Sequence, residues 1–163
     1  MLTAERVKQL LDYDPATGSF TWRENRGGTA RRGGRAGSIN VLGYVDIGVS
    51  GRRCLGHRLA WLYVHGAWPP HEIDHINGNP ADNRIANLRL ATRTQNVRNT
   101  RRRHDNSSGV KGVYWIARCG KWRADIRVAG KGKHLGYFNR IEDAAAAYER
   151  AAAKHFGEFA RTA

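Results

Sequence analysis

Glu72-Ile-Asp-His-Ile-Asn-Gly-Asn79 and, shortly after it, Asp82-Asn-Arg-Ile-Ala-Asn-Leu-Arg-Leu-Ala-Thr92 decide how the middle of this chain folds. Glu72 to Ile76 reads as a short strand, and Asn77-Gly-Asn-Pro80 is strong turn chemistry. Leu88-Arg89-Leu90 alternates as a second strand. Thr92-Arg-Thr-Gln95 has the spacing of a capping box, which starts a helix carrying Asn96 and Asn99 on one face. The predicted order is strand, loop, strand, helix. An acid, a histidine and several asparagines are spaced along it.

Those residue types suit one kind of chemistry. A neutral imidazole with a pKa of about 6.5 can take a proton from water at neutral pH. One carboxylate and one amide oxygen are hard ligands that suit Mg²⁺ and leave room for a phosphate. Adjacent strand residues point to opposite faces, so Asp74 and His75 can converge only where the strand ends or twists. The turn from Asn77 permits that.

Over about residues 39–100 the sequence resembles the HNH nucleases, in particular the homing-endonuclease branch with the ββα-metal fold. The Asp-His-Ile-Asn-Gly-Asn and Asn-Leu-Arg pieces carry the likeness. The resemblance implies that His75 is the general base and that Asn87 orients its ring. It implies Asp74 and Asn96 as ligands of Mg²⁺, for which Mn²⁺ is an expected substitute; with two distant cysteines and no CxxC, no zinc is expected. Asn96 stands where the family motif often has histidine, a variant this branch also uses. Asn83 competes with Asn87 for the middle position.

Upstream, residues 3–12 predict a short helix with Thr3 as N-cap, and Asp14 to Gly18 a turn into the strand Ser19–Trp22. Arg26 to Gly37 is glycine- and arginine-rich without periodicity, a loop that is either solvated or in contact with DNA phosphates. Val45, Ile47 and Val49 alternate, and Gly51 separates them from Arg52-Arg-Cys-Leu55, which suggests a hairpin. His57 to His65 has helical spacing and stops at Gly66; both histidines read as packing or surface residues.

Downstream, Arg98 to Ser108 is a basic linker suited to the DNA backbone, with Arg98, Arg101 and Arg102 as candidate contacts. Three short strands follow, at Gly112–Trp115, Lys121–Val128 and Lys133–Phe138, and then an alanine-rich helix from Ile141 to Phe156. In the middle strand Trp122, Ala124, Ile126 and Val128 share one face; Arg123, Asp125 and Arg127 share the other. Residues 108–158 look like the plant ethylene-response-factor (AP-two) DNA-binding domain, carried by Gly112-Val113, Lys121-Trp122, Ala124-Asp-Ile-Arg127, Leu135-Gly136, Phe138 and Glu142 to Tyr148. That likeness implies that Tyr114, Arg118, Arg123, Arg127 and His134 face DNA. The plant pattern usually has arginine at position 114 and tryptophan at position 134, so its target sequence is not carried over.

The 163 residues carry a formal charge of +14 and an isoelectric point near 10.7, which points to a polyanionic partner. Residues 97–163 contribute +9 of it and residues 1–96 only +5. Cys54 and Cys119 are far apart, which argues against a disulfide framework and fits a reducing cytosol, in a bacterium or a phage-infected cell. No signal pattern or membrane-length apolar run is present.

The expected fold class is α+β. An HNH nuclease domain with an N-terminal hairpin region fills residues 1–97, a linker 98–108, and a small three-stranded antiparallel sheet with one helix 109–163. The expected function is metal-dependent hydrolysis of double-stranded DNA at a preferred site, one strand per monomer, with no obligate protein partner. The alternative is a non-cleaving DNA-binding regulator with a degenerate nuclease domain.

Overall fold

The computed structural model describes residues 2–28, 30–99 and 106–161. The chain divides into two compact units, Met1–Arg93 and Thr94–Ala163. Both mix helices with antiparallel sheets, an α+β fold.

The first unit opens with α1 (Ala4–Leu10), capped by the Thr3 hydroxyl, which accepts the Arg6 amide at 3.2 Å. The predicted helix to residue 12 is cut short, because Leu11 leaves helical geometry and starts β1 (Leu11–Asp14). β1 pairs with β2 (Ser19–Trp22) in register Leu11 to Trp22. That hairpin buries Leu11, Tyr13, Phe20 and Trp22 on one face, a gain that outweighs two more helical residues. Next comes a three-stranded sheet of β3 (Ser38–Ile39), β4 (Val45–Val49) and β5 (Arg52–Leu55), with β4 in the middle. Val45, Ile47 and Val49 all point into the core, as their alternation predicts.

β5 runs directly into α2 (Gly56–His65), which ends at Gly66 in the left-handed conformation. Leu59, Ala60 and Leu62 of α2 are fully buried against α1 and the hairpin residues. β6 (Glu72–His75) and β7 (Leu88–Ala91) form a two-stranded antiparallel ribbon, with Asp74 opposite Arg89 and His75 opposite Leu88. A 3-10 turn at Ile85–Asn87 leads into β7. After the ribbon, α3 (Arg93–Arg98) begins at the division between the units.

The second unit contains a sheet in the order β10 (Lys131–Phe138), β9 (Lys121–Val128), β8 (Val113–Ile116). α4 (Ile141–Phe156) packs on it. Val113, Ala124 and Ile126 meet Ala144, Tyr148 and Ala152 in a core separate from that of the first unit. Small alanines let the helix lie close to the sheet. Gly112 makes a still closer approach: a Cβ there would stand 2.3 Å from the Tyr148 ring. Among the described residues no helix is long and apolar enough to cross a membrane.

Candidate active site

The end of β6 sets the site. Ile73, Asp74 and His75 are all buried, so the ribbon is covered on both faces. A carboxylate and an imidazole on successive residues are therefore both withdrawn from bulk water. Asp74 is held by its cross-strand partner, with Arg89 donating from Nε at 2.8 Å and from a terminal nitrogen at 2.7 Å to Oδ2. This is a dry, two-donor ion pair.

His75 is held from its Nε2, which lies 3.3 Å from Asn83 Oδ1. In the tautomer that donates from Nε2 to this amide oxygen, Nδ1 is the basic nitrogen. Burial pushes the His75 imidazole below its ordinary value, against the opposing pull of Asn83, Asp74 and Asp82. At neutral pH the ring is neutral, as a proton acceptor must be.

Asn83 is itself almost fully buried and gripped from three directions. Its carbonyl accepts the Tyr13 hydroxyl at 2.7 Å. That burial pushes the Tyr13 phenol up to about 12. Gly18, at positive φ, leaves no room for a Cβ, which would stand 2.5 Å from the Asn83 carbonyl carbon and 2.3 Å from the Arg84 nitrogen. Gly56, at the start of α2, does the same for the amide end: a Cβ there would stand 2.7 Å from Asn83 Nδ2. Two hairpin residues and one helix residue thus fix the group that fixes His75.

Asn87 is placed differently from the expectation that it orients the histidine ring. Its Oδ1 accepts the Asn77 amide at 3.0 Å, and its Nδ2 donates to Asn77 Oδ1 at 3.1 Å and to the Asp82 carbonyl at 2.9 Å. Asn87 closes the loop between the strands; the bond to the ring comes from Asn83. Asp82 completes the clamp by accepting from Asn77 Nδ2 at 2.7 Å and from the Arg84 guanidinium at 2.6 and 2.8 Å. Those Arg84 bonds lead the causes that hold the Asp82 carboxyl at about 2.

His57, read from the sequence as a packing or surface residue, packs directly beside the site. It is buried, its ring stands edge-on to His75 at 5.0 Å, and Tyr44 tilts against both rings at 5.4 and 6.0 Å. Its Nδ1 is buried and has no hydrogen-bond partner among the described residues. Burial is the main cause that lowers the His57 pKa to about 3, with help from His75 and Arg58. Nothing in its spacing signals this, because the contact joins residues on α2 and β6.

The sequence has known relatives. The HNH endonuclease family matches residues 54–98, a span that contains β6, β7 and the loop between them. Protein 3.8 of Escherichia phage T7 is 34% identical over 106 residues, covering 64% of this chain and 87% of that protein. The chain belongs to the family of Protein 3.8 and carries an HNH endonuclease domain. No solved structure matches it.

Within the HNH domain, Asp74, His75, Asn83 and Asn87 gather at the ribbon and its loop. Asn96 lies half-buried on α3, in the second unit. Among the described residues no group of three or more His, Cys, Asp or Glu could hold a metal ion.

In the second unit Tyr114, Arg123 and His134 converge on Asp125 from the sheet face opposite α4. The Tyr114 hydroxyl donates to Asp125 Oδ2, Arg123 Nε lies 3.0 Å from the same oxygen, and His134 Nδ1 lies 2.9 Å from Oδ1. Arg123 also lies over the Tyr114 and Tyr137 rings at 5.7 and 5.9 Å. Arg127 on β9 and Arg118, in the turn before it, are exposed outside this cluster. Arg98, in α3, lies over the Phe156 ring at 4.7 Å. Arg101 and Arg102 lie outside the described residues.

Proposed function

We propose that this protein is a site-preferring, metal-dependent DNA endonuclease of the homing type, cutting one strand per monomer. One observation carries the reading: His75 is buried at the end of β6, held through Nε2 by Asn83, and its burial favours the neutral imidazole that a general base needs. In that reading Nδ1 takes a proton from a water whose oxygen attacks phosphorus, and the bond from phosphorus to the 3′ oxygen breaks. The 3′ oxygen leaves with a proton from solvent, giving 5′-phosphate and 3′-hydroxyl ends. Mg²⁺, when bound by Asp74, supplies charge stabilisation at the phosphate. Asn96 is assigned as the second ligand from its place in the motif alone.

The second unit is proposed as the DNA reader, an AP-two-like sheet whose open face carries Tyr114, Arg123, Arg127 and His134, with Arg118 at its edge. Strands of this kind can enter a major groove. The charge of +14 supports a polyanionic partner.

A specific observation favours a second reading. Asp74 Oδ2 is bound twice by Arg89, as in a carboxylate committed to structure rather than to a cation. On that reading the protein binds DNA without cutting it.

Incubation with supercoiled phage or plasmid DNA, with Mg²⁺ or with EDTA, separates the two. Relaxed circles that appear only with metal support the nuclease. Intact circles beside a mobility shift, with Mg²⁺ and with Mn²⁺, support the regulator.

A further inference from the structure

A cleft of about 550 Å³ opens where β5 turns into α2. Leu2, Leu55 and Trp68 give it apolar walls; Arg52, Arg53 and Arg58 give it charge. Elsewhere in the same unit Arg23, Arg26, Arg84, Arg89 and Arg93 each face a carboxylate, while Arg6, Arg31, Arg32 and Arg35 face none among the described residues and stand outside the cleft. Among the described residues no carboxylate lies within ion-pair distance of the three cleft arginines. Three uncompensated cations in one concavity repel one another and focus a positive potential outward.

Arg58 is also prepared for one kind of ligand. Its guanidinium lies over the Trp68 ring at 5.9 Å, and that ring is pinned by its Nε1, which donates to the Leu2 carbonyl at 3.0 Å. Stacking uses the flat face of a guanidinium and leaves its in-plane N–H fork for a bidentate partner such as phosphate. The cleft has the volume of sites that enclose small-molecule-sized groups, so a phosphate can enter with its sugar.

Its place in the fold names the source of that phosphate. Arg58 follows His57 on α2, and the His57 ring stands 5.0 Å from His75. Phosphates along one DNA strand are about 3.4 Å apart in rise. A strand whose cut phosphate meets His75 carries further phosphates on either side, and α2 bears both the ring beside His75 and the Arg58 of the cleft.

We propose that this cleft is a DNA-backbone subsite, in which Arg52, Arg53 and Arg58 hold phosphates flanking the one presented to His75. It rests on the nuclease reading for the position of the cut, and its test does not require cleavage. The full chain is titrated onto a labelled duplex in EDTA at several KCl concentrations, with anisotropy as the readout.

Replacing all three cleft arginines by glutamine lowers the slope of log affinity against log salt by about 0.9 for each phosphate that the protein no longer neutralises. Arg58→Gln alone lowers it by about 0.9, whereas Arg6→Gln, the same charge change at an exposed α1 position, leaves it at the wild-type value. Arg58→Lys keeps the charge but not the fork, so its slope stays while its affinity falls. Melting curves confirm that each variant is folded.

A triple variant with wild-type slope and affinity overturns the proposal, and leaves the nuclease reading standing if that variant still cuts. A flattened slope in a protein that never cuts supports the cleft and sinks the nuclease reading. A cleft that takes free nucleotide instead would be blocked by deoxynucleoside monophosphate with DNA binding unchanged, which also overturns the proposal.

Discussion

Both units hold an aspartate with an arginine on a sheet, and the two pairs differ in almost everything else. Asp74 and Arg89 are direct cross-strand partners, with side chains 4% and 13% exposed. Asp125 and Arg123 lie two residues apart on one strand, with side chains 24% and 35% exposed. The first pair is dry, so neither member can lose its partner cheaply. The second is wet and contributes little to stability, but it arranges Tyr114, Arg123 and His134 as a fixed donor set on an open surface. One pairing isolates a carboxylate from water; the other displays one.

The largest contrast is expected between the histidines beside these pairs. His75→Ala lowers the cleavage rate about 10²–10⁴-fold with DNA affinity near normal. His134→Ala changes DNA affinity and leaves the rate at saturating DNA unchanged. Single-turnover cleavage with a binding titration measures both, and equal rate losses in the two variants would erase the distinction.

Stability gives the next contrast. Arg89→Ala removes a two-donor partner from a buried carboxylate and costs about 3–5 kcal/mol. Arg123→Ala removes a partly exposed pair and costs less than about 1 kcal/mol. Urea unfolding of the two variants checks this, and similar midpoints would contradict it.

Acid separates the units in a third way. His57, which burial drives down to about 3 in the folded protein, is protonated first in the unfolded chain. The first unit therefore loses stability as pH falls from about 6.5 towards 3, at about 1.4 kcal/mol per pH unit for this group. His75 adds a loss of the same sign. Burial pushes the Asp125 carboxyl up, but hydrogen bonds from Tyr114, His134 and Arg123 outweigh it and hold the group below its ordinary value. Its contribution persists until the pH drops below about 3.8 and is then lost. Residue-resolved hydrogen exchange against pH should show the first unit loosening first, and His57→Phe should flatten its dependence.

The smallest effect belongs to Asp125→Asn. It leaves the fold within about 1 kcal/mol and frees Arg123, so DNA binding tightens slightly while cleavage kinetics hold. Anisotropy beside a melting curve measures it.

The local parts of this architecture were legible in the sequence. Thr3 caps α1, Gly66 ends α2, alternation places Val45, Ile47 and Val49 inside, and Ala124 and Ile126 face α4 while Arg123 and Asp125 do not. The α+β class follows from such patterns, because turn chemistry and periodicity act over a few residues, whereas the HNH domain was legible from its likeness to the family motif. The strand at Leu11 was hidden, since two adjacent leucines suit a helix face as well as a buried hairpin. The role of Asn87 could not be separated from that of Asn83 by spacing; only the folded loop puts one on the backbone and the other on the ring. The His57 contact joins α2 to β6, so no local pattern encodes it.

Gly18 and Tyr13 carry a last consequence, for the unit of inheritance. The stretch that marks the family begins at residue 54, yet the group that orients His75 is gripped from residues 13 and 18. A gene fragment encoding only 54–98 would pass on the motif without its buttress. A graft cut at residue 54 carries the letters of the site but not the hairpin that holds Asn83 against His75.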